Sequence, residues 1–228
     1  MRLALLFLAL AATGQVLAAA EPAARTIVLV RHGHYAADPT ADPELGPGLT
    51  DLGVAQARLL GARLKGLPHF DQVLASPMTR AQETARVLVE DLDQAPIETV
   101  ADLSECTPPT RRSDITATID AAELEACAKQ LDRVFDSRFK PATGQADRLL
   151  LVCHGNVTRY LITRALGVDR MAWLEMSVGH TSMTTIRIEA DGSTRLIAAG
   201  DVGHLPPSLQ TGTIADSERN LLVPTPAQ

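Results

Sequence analysis

Short apolar runs alternate along the chain with longer stretches in which apolar residues recur every three or four positions. The runs, rich in Val, Ile and Leu, are typical of buried strands, and the longer spacing is typical of amphipathic helices. The predicted strands span residues 26–30, 70–75, 97–100, 148–153, 181–189 and 194–198, and the predicted helices span residues 51–66, 78–92, 120–139 and 156–166. Strands that alternate with helices and end in a hairpin predict an α/β fold, a three-layer α/β/α sandwich with a mostly parallel central sheet.

The N-terminal segment differs from the rest of the chain. A positive charge at Arg2 precedes a continuous apolar stretch over residues 3–12, and small residues follow. This layout is typical of a secretory signal peptide over residues 1–20, cleaved after Ala18 or Ala20. The alternative is an uncleaved membrane anchor, although the apolar stretch is shorter than the ~20 residues of a spanning helix. We therefore expect an exported protein, periplasmic or secreted, that meets a membrane only if this segment is uncleaved.

The remainder predicts one folded domain over residues 21–205 and a tail over residues 206–228. A chain of 228 residues, 46% of them hydrophobic, is sufficient for one α/β domain. The tail has few apolar residues and is predicted to be disordered. A net charge of -6 argues against nonspecific nucleic-acid binding, which needs a basic face. A local cluster of arginines would still allow an anionic substrate.

The chain contains three cysteines. In an oxidising compartment Cys106 and Cys127 could form a disulfide and leave Cys153, within an apolar strand, as a buried thiol. The alternative is three unpaired cysteines, and the sequence does not separate the two possibilities.

Two predicted strands end in the same dipeptide. Arg31-His32-Gly33 follows the strand over residues 26–30, and His154-Gly155 follows the strand over residues 148–153. A single histidine after a strand is more often a structural hydrogen-bonding group. If both strands belong to one parallel sheet, however, His32 and His154 emerge at the same edge, where α/β folds bind ligands.

A third strand-to-helix junction carries a positive charge. Arg80 lies in the first turn of the helix that begins after Ser76-Pro77. The free N–H groups and the dipole of a helix N-terminus favour an anion. A solvated arginine is the alternative, but together with Arg31 and the two histidines Arg80 completes a candidate phosphoryl site.

These segments resemble the histidine phosphatase superfamily, which has the phosphoglycerate-mutase-like fold. The resemblance covers residues 27–201. The matching segments are Arg31-His32-Gly33, residues 76–84 and His154-Gly155. Residues 152–160 and 199–203 are most similar to the mitochondrial Ser/Thr protein phosphatase branch.

The resemblance implies roles for five residues. His32 would attack phosphorus and form a phosphohistidine that water hydrolyses. Arg31, Arg80 and His154 would bind the phosphoryl oxygens, so that side chains stabilise the charge and no metal or cofactor is required. Glu105, in the loop after the third predicted strand, matches the family's proton donor to the leaving group. An exposed loop glutamate is the alternative for this residue.

Two further residues are candidates for phosphate binding. Gly33 would allow the backbone to come close to the anion. Asn156, directly after His154-Gly155, could donate a hydrogen bond near the phosphoryl group or could be the N-cap of the following helix.

Three other functions are compatible with parts of this pattern. A phosphoglycerate-mutase-type phosphotransferase is disfavoured because His34-Tyr35 follows the first His-Gly and the segment after Leu103 is short. A metal hydrolase would use His32, His34, His154 and His180 as ligands, but metal sites rarely contain arginines. A phosphate- or partner-binding module without turnover is the alternative outside enzymes. We expect a phosphomonoesterase whose partner is a phosphorylated small molecule or a phosphoprotein.

Overall fold

A computed structural model of the chain describes residues 20–92 and 96–213. The predicted signal peptide, apart from its last residue, and residues 214–228 of the predicted tail lie outside the described residues. The strands are β1 (Pro22–Ala23), β2 (Arg25–Arg31), β3 (Gln72–Ala75), β4 (Ile97–Thr99), β5 (Ala142–Thr143), β6 (Asp147–Cys153), β7 (Met183–Ile188) and β8 (Thr194–Asp201). The helices are α1 (Asp51–Leu64), α2 (Thr79–Leu92), α3 (Ser113–Thr116), α4 (Ala121–Arg138) and α5 (Gly155–Leu166).

A six-stranded sheet with the order β4-β3-β6-β2-β7-β8 forms the centre of the molecule. The first four strands in this order run parallel, while β7 and β8 are antiparallel to their neighbours. Strands β2 and β6 are directly paired, with Arg31 opposite Cys153. The predicted mostly parallel sheet with a terminal hairpin is therefore confirmed.

Helices cover both faces of the sheet because the central strands are apolar on both sides. In β2, Val28 and Val30 pack with the buried residues of α1 and α2, whereas Ile27 and Leu29 pack with those of α4 and α5. Such alternation is what a strand buried on both faces requires. The three-layer sandwich is confirmed.

Capping residues mark where the helices begin and end. Helix α1 begins after Thr50, whose Oγ1 accepts a hydrogen bond from the Gly53 N–H, and α4 begins after Asp120, whose carboxylate accepts from Ala122 N. Gly167, at φ 63°, ends α5 in the left-handed conformation that favours glycine. These boundaries lie within a few residues of the predicted ones.

The structure shows how the cysteines pair, which the sequence left open. Cys106 and Cys127 form a disulfide, and Cys153 is a buried free thiol. Residues 206–213, which lie beyond the predicted boundary at residue 205, hydrogen-bond to the domain: Gln56 donates to the Leu209 carbonyl. Within the part of the chain that the structure describes, no helix is both long and apolar enough to span a membrane.

Candidate active site

His32 and His154 meet at the carboxyl edge of the parallel sheet. Strands β2 and β6 are neighbours, and His32 N donates to the carbonyl of Cys153 at 2.9 Å. The two imidazole rings lie 5.1 Å apart between centroids, and both residues are buried, His32 at 2% exposure and His154 at 0%. The expected juxtaposition of the two His-Gly segments is present in the structure.

The hydrogen bonds of His32 determine which ring nitrogen carries the proton. Nδ1 lies 2.8 Å from the carbonyl oxygen of Gly33, which can only accept, so Nδ1 is the donor. Nε2 accepts from Arg80 Nε at 3.1 Å, as an unprotonated nitrogen must. The lone pair of Nε2 therefore points toward the cation that the sequence placed at the start of α2.

Arg31 and Arg80 place two cations beside His32 without a neutralising carboxylate. Arg31 Nη1 donates to the carbonyls of Val178 at 2.7 Å and Gly212 at 2.6 Å. The Arg80 guanidinium lies over the Tyr35 ring, 4.8 Å from its centroid. Neither arginine forms an ion pair with any carboxylate in residues 20–92 and 96–213. Their charge is available to an anion.

The electrostatics of the site keep the imidazoles neutral and the guanidiniums charged. Burial lowers the pKa of His32 well below its ordinary value, and the nearby His154, Arg31 and Arg80 lower it further. Burial, then Arg80 and Arg31, likewise lowers the pKa of His154. Burial lowers the pKa of Arg31 only to about 10, so this arginine remains a cation at neutral pH. A neutral nucleophile thus lies beside fixed positive charge.

Glu105 lies against His154 at the end of the loop that follows β4. Its Oε1 accepts from Asn156 N at 3.2 Å, and its Oε2 lies 3.7 Å from His154 Nδ1. Within the described residues, three buried polar atoms of the site have no hydrogen-bond partner: Arg31 Nε, His154 Nδ1 and Glu105 Oε2. Each of these atoms therefore has hydrogen-bonding capacity that no described group uses.

Gly33 lies where two backbone segments pack closely. A Cβ at this position would lie 2.6 Å from the carbonyl oxygen of Gly53, which belongs to the first turn of α1. The Gly33 N–H donates to Thr84 Oγ1 at 3.0 Å. Close packing of two backbones therefore requires glycine here.

Both polar atoms of the Asn156 side chain contact other parts of the protein. Its Nδ2 donates to the Cys106 carbonyl at 2.9 Å, and its Oδ1 accepts from Arg159 at 2.6 Å. His154, not Asn156, occupies the N-cap position of α5. The side chain of Asn156 is thus used to hold the loop that carries Glu105.

Sequence reasoning missed two residues at this edge. Ser76 Oγ lies 2.8 Å from His154 Nε2, and His180 Nε2 accepts from Arg31 Nη2 at 3.2 Å. His180 was considered only as a metal ligand. Because β7 is antiparallel to β2, a residue just before β7 lies at the edge where β2 ends, and this topology was the available indication. In the described residues, no three His, Cys, Asp or Glu side chains are grouped to hold a metal ion.

Comparison with known proteins identifies the family. The model of the histidine phosphatase superfamily (branch 1) matches residues 27–111 and 110–198. The mitochondrial serine/threonine-protein phosphatase Pgam5 of Drosophila grimshawi is 34% identical over 87% of this chain and 71% of its own length. The Caenorhabditis elegans Pgam5, also named mitochondrial, is 35% identical over 82% of this chain and 66% of its own length.

Solved structures give the same fold. The phosphoglycerate mutase of Plasmodium falciparum superimposes with a TM-score of 0.57 at 27% identity, covering 81% of this chain and 95% of the mutase. The alpha-ribazole phosphatase of Shigella flexneri has a TM-score of 0.61 at 22% identity, covering 78% of this chain and 96% of the phosphatase. The second comparison supports the fold alone.

The comparisons correct the expected localisation and confirm the family. Both relatives are named as mitochondrial, which contradicts a periplasmic or secreted protein. An apolar segment behind one positive charge does not specify which membrane it addresses, and our expectation rested on that composition. The family match extends over most of the described domain and includes the segments on which the resemblance was based. This chain belongs to the histidine phosphatase superfamily.

Proposed function

We propose that the protein is a metal-independent phosphomonoesterase that transfers the phosphoryl group to Nε2 of His32 and then to water. One observation carries the proposal: a neutral imidazole nitrogen lies beside two arginines that no described carboxylate neutralises. A phosphate ester supplies the missing negative charge and an electrophilic phosphorus.

In the first step, His32 Nε2 attacks phosphorus, the N–P bond forms and the bond from phosphorus to the leaving oxygen breaks. Arg80 exchanges its hydrogen bond with Nε2 for one with a phosphoryl oxygen, while Arg31 Nε and His154 Nδ1 supply further donors. The protonated carboxyl of Glu105 gives its proton to the leaving oxygen and becomes a carboxylate.

In the second step, water attacks the phosphohistidine and the N–P bond breaks. The Glu105 carboxylate takes a proton from that water, and phosphate leaves. His32 regains the neutral state with its proton on Nδ1, where the Gly33 carbonyl holds it. The enzyme thus returns to its starting state, and no step uses a metal ion.

The substrate class follows from the relatives. Curated relatives are named serine/threonine-protein phosphatases, which supports phosphoserine or phosphothreonine in proteins as the substrate. Such esters have alkoxide leaving groups, for which a proton donor is important. A panel of phosphopeptides and small phosphate esters, assayed side by side, tests this choice.

The test of the mechanism compares His32→Ala with His69→Ala, a histidine on the exposed surface. We expect His32→Ala to lower kcat/KM by about 10³-fold or more and His69→Ala to leave kcat/KM unchanged. Phosphohistidine should be trapped by alkaline quenching of wild type only. Unchanged hydrolysis by His32→Ala would overturn the proposal, as would loss of activity in a strong chelator. Absence of hydrolysis by wild type across the panel would instead favour a binding module.

A further inference from the structure

The carboxyl of Glu105 is placed by a segment that has little regular structure of its own. Glu105 follows a single 3-10 turn, Ala101–Leu103, and belongs to no helix or strand. Its side chain is 26% exposed, yet Oε2 is buried opposite His154 Nδ1. The position of this carboxyl therefore depends on contacts with other elements.

Helix α4 holds the loop from one side. Cys106, the residue next to Glu105, is bonded to Cys127, which is 3% exposed within the core face of α4. One turn further along, Gln130 Nε2 donates to the Ser104 carbonyl at 3.0 Å. The residues on both sides of Glu105 are thus attached to the same helix.

Helix α5 holds the loop from the other side. Asn156 Nδ2 donates to the Cys106 carbonyl at 2.9 Å, and the Asn156 N–H donates to Glu105 Oε1 at 3.2 Å. Arg159 Nη2 in turn donates to Asn156 Oδ1 at 2.6 Å, which fixes the orientation of the amide. Both helices thus meet at Cys106, one covalently and one through a hydrogen bond to its carbonyl.

We propose that Cys106, Cys127 and Asn156 form a clamp that positions the Glu105 carboxyl for proton donation to the leaving group. The clamp rests on the function proposed above, in which Glu105 is that donor. The disulfide and the Asn156 side chain set the position of the loop, and the Asn156 backbone N–H, which Asn156→Ala keeps, accounts for the direction of the carboxyl. Proton transfer requires hydrogen-bond distance, and a displacement of about 1 Å can cost about 10²-fold in rate. These residues are positioning residues, since none of them touches the reacting atoms.

The leaving group distinguishes positioning from mere stability. A serine alkoxide is a strong base and needs a proton as the ester bond breaks, whereas a nitrophenolate is a weak base and leaves without one. A misplaced Glu105 should therefore slow phosphoserine hydrolysis and spare p-nitrophenyl phosphate. Loss of folded protein would lower both rates equally.

The experiment measures kcat for both substrates in the double variant Cys106→Ser, Cys127→Ser. We expect phosphoserine kcat to fall by about 10- to 100-fold and p-nitrophenyl phosphate kcat to change by less than about threefold. The matched control is Asp120→Ala, which removes the N-cap of α4 but leaves the clamp intact, and which should not discriminate between the substrates. If the double variant does not fold, Asn156→Ala in the disulfide-bonded protein should show the same discrimination.

Equal losses for both substrates, or no loss for either, would overturn the clamp. So would equal discrimination by Asp120→Ala. Glu105→Gln separates this failure from failure of the proposed function. If Glu105→Gln discriminates between the substrates and the double variant does not, only the clamp is wrong. If Glu105→Gln does not discriminate, Glu105 is not the proton donor, and both the clamp and the proton-donation step of the proposed mechanism fail, while transfer to His32 is tested separately by His32→Ala.

Discussion

Acid should destabilise this protein through His180, and His180→Gln should remove a measurable part of that effect. Burial, then Arg31, His34 and Arg80, lowers the pKa of His180 from 6.5 to about 3 in the folded protein. The unfolded chain therefore binds a proton below pH 6.5 that the folded protein does not bind. The neutral imidazole therefore contributes its full share of the free energy of unfolding above pH 6.5, and this share is lost as the pH falls toward 3.

The size of the effect follows from the two pKa values. At pH 5 the folded imidazole is still neutral, while pH 5 lies about 1.5 pH units below the ordinary value. At about 1.4 kcal/mol per unit, wild type loses about 2 kcal/mol from this one group between pH 7 and pH 5. The substitution also costs contacts, since His180 Nε2 accepts from Arg31 and Nδ1 pairs with Thr211 Oγ1, but that cost does not depend on pH.

The assay is urea unfolding at pH 7 and pH 5, followed by the fluorescence of Trp173, the single and buried tryptophan. Buffers must contain neither phosphate nor sulfate, because an anion bound between the arginines would stabilise the folded protein. The pH-dependent loss should be about 2 kcal/mol smaller in His180→Gln than in wild type. Equal losses in His180→Gln and wild type, within about 0.5 kcal/mol, would refute the reasoning.

Three further substitutions test the site and its scaffold. Arg80→Gln should lower kcat/KM for a phosphoserine peptide by about 10²-fold, since a hydrogen bond to a charged group contributes about 1.5–3 kcal/mol. Gly33→Ala should lower the free energy of unfolding by about 1–3 kcal/mol, because its Cβ would lie 2.6 Å from the Gly53 carbonyl oxygen. Thr50→Ala should cost about 1 kcal/mol in urea unfolding by removing the N-cap of α1.

Each substitution has a control on the same chain. Arg112→Gln removes an exposed arginine and should leave kcat/KM unchanged. Gly66→Ala places a Cβ 3.5 Å from its nearest neighbour and should cost little stability. Thr50→Ser keeps a capping hydroxyl and should restore stability. A variant that matches its control would contradict the assigned contact.

The parallel half of the sheet was predictable because each of its parts is specified locally. Continuous apolar runs at residues 26–30 and 148–153 indicate strands buried on both faces, and β2 and β6 contain them. Each run leads into His-Gly, through Arg31 in the first case and directly in the second, and the register that pairs Arg31 with Cys153 brings His32 and His154 together. Because the two strands run parallel, the His-Gly segments that follow them lie at the same edge of the sheet, and this is why both histidines could be identified from the sequence.

The loop of Glu105 was predictable only through the family resemblance. Hydrophobic periodicity does not indicate where an irregular segment lies, and this segment is held by the bond from Cys106 to Cys127 and by the Asn156 amide. The sequence left the pairing of the cysteines open and gave Asn156 two other roles. Side chains that hold an irregular loop follow no periodic pattern in the sequence, because the tertiary structure determines which residues they contact.

Residues 206–213 show how a segment with few apolar residues can be held against the domain. Composition measures apolar surface available for burial, and this segment has little. Its described part is held by polar contacts instead: the Thr211 carbonyl accepts from His180 N at 2.9 Å, and the Gly212 carbonyl accepts from Arg31 Nη1 at 2.6 Å. A Cβ at Gly212 would lie 2.6 Å from His180 Nδ1, so the backbone must approach the ring closely. Arg31 and the carbonyl that orients it are 181 residues apart, and no local pattern links them. Polar contacts with Arg31 and His180, rather than a buried core, therefore hold this segment in place.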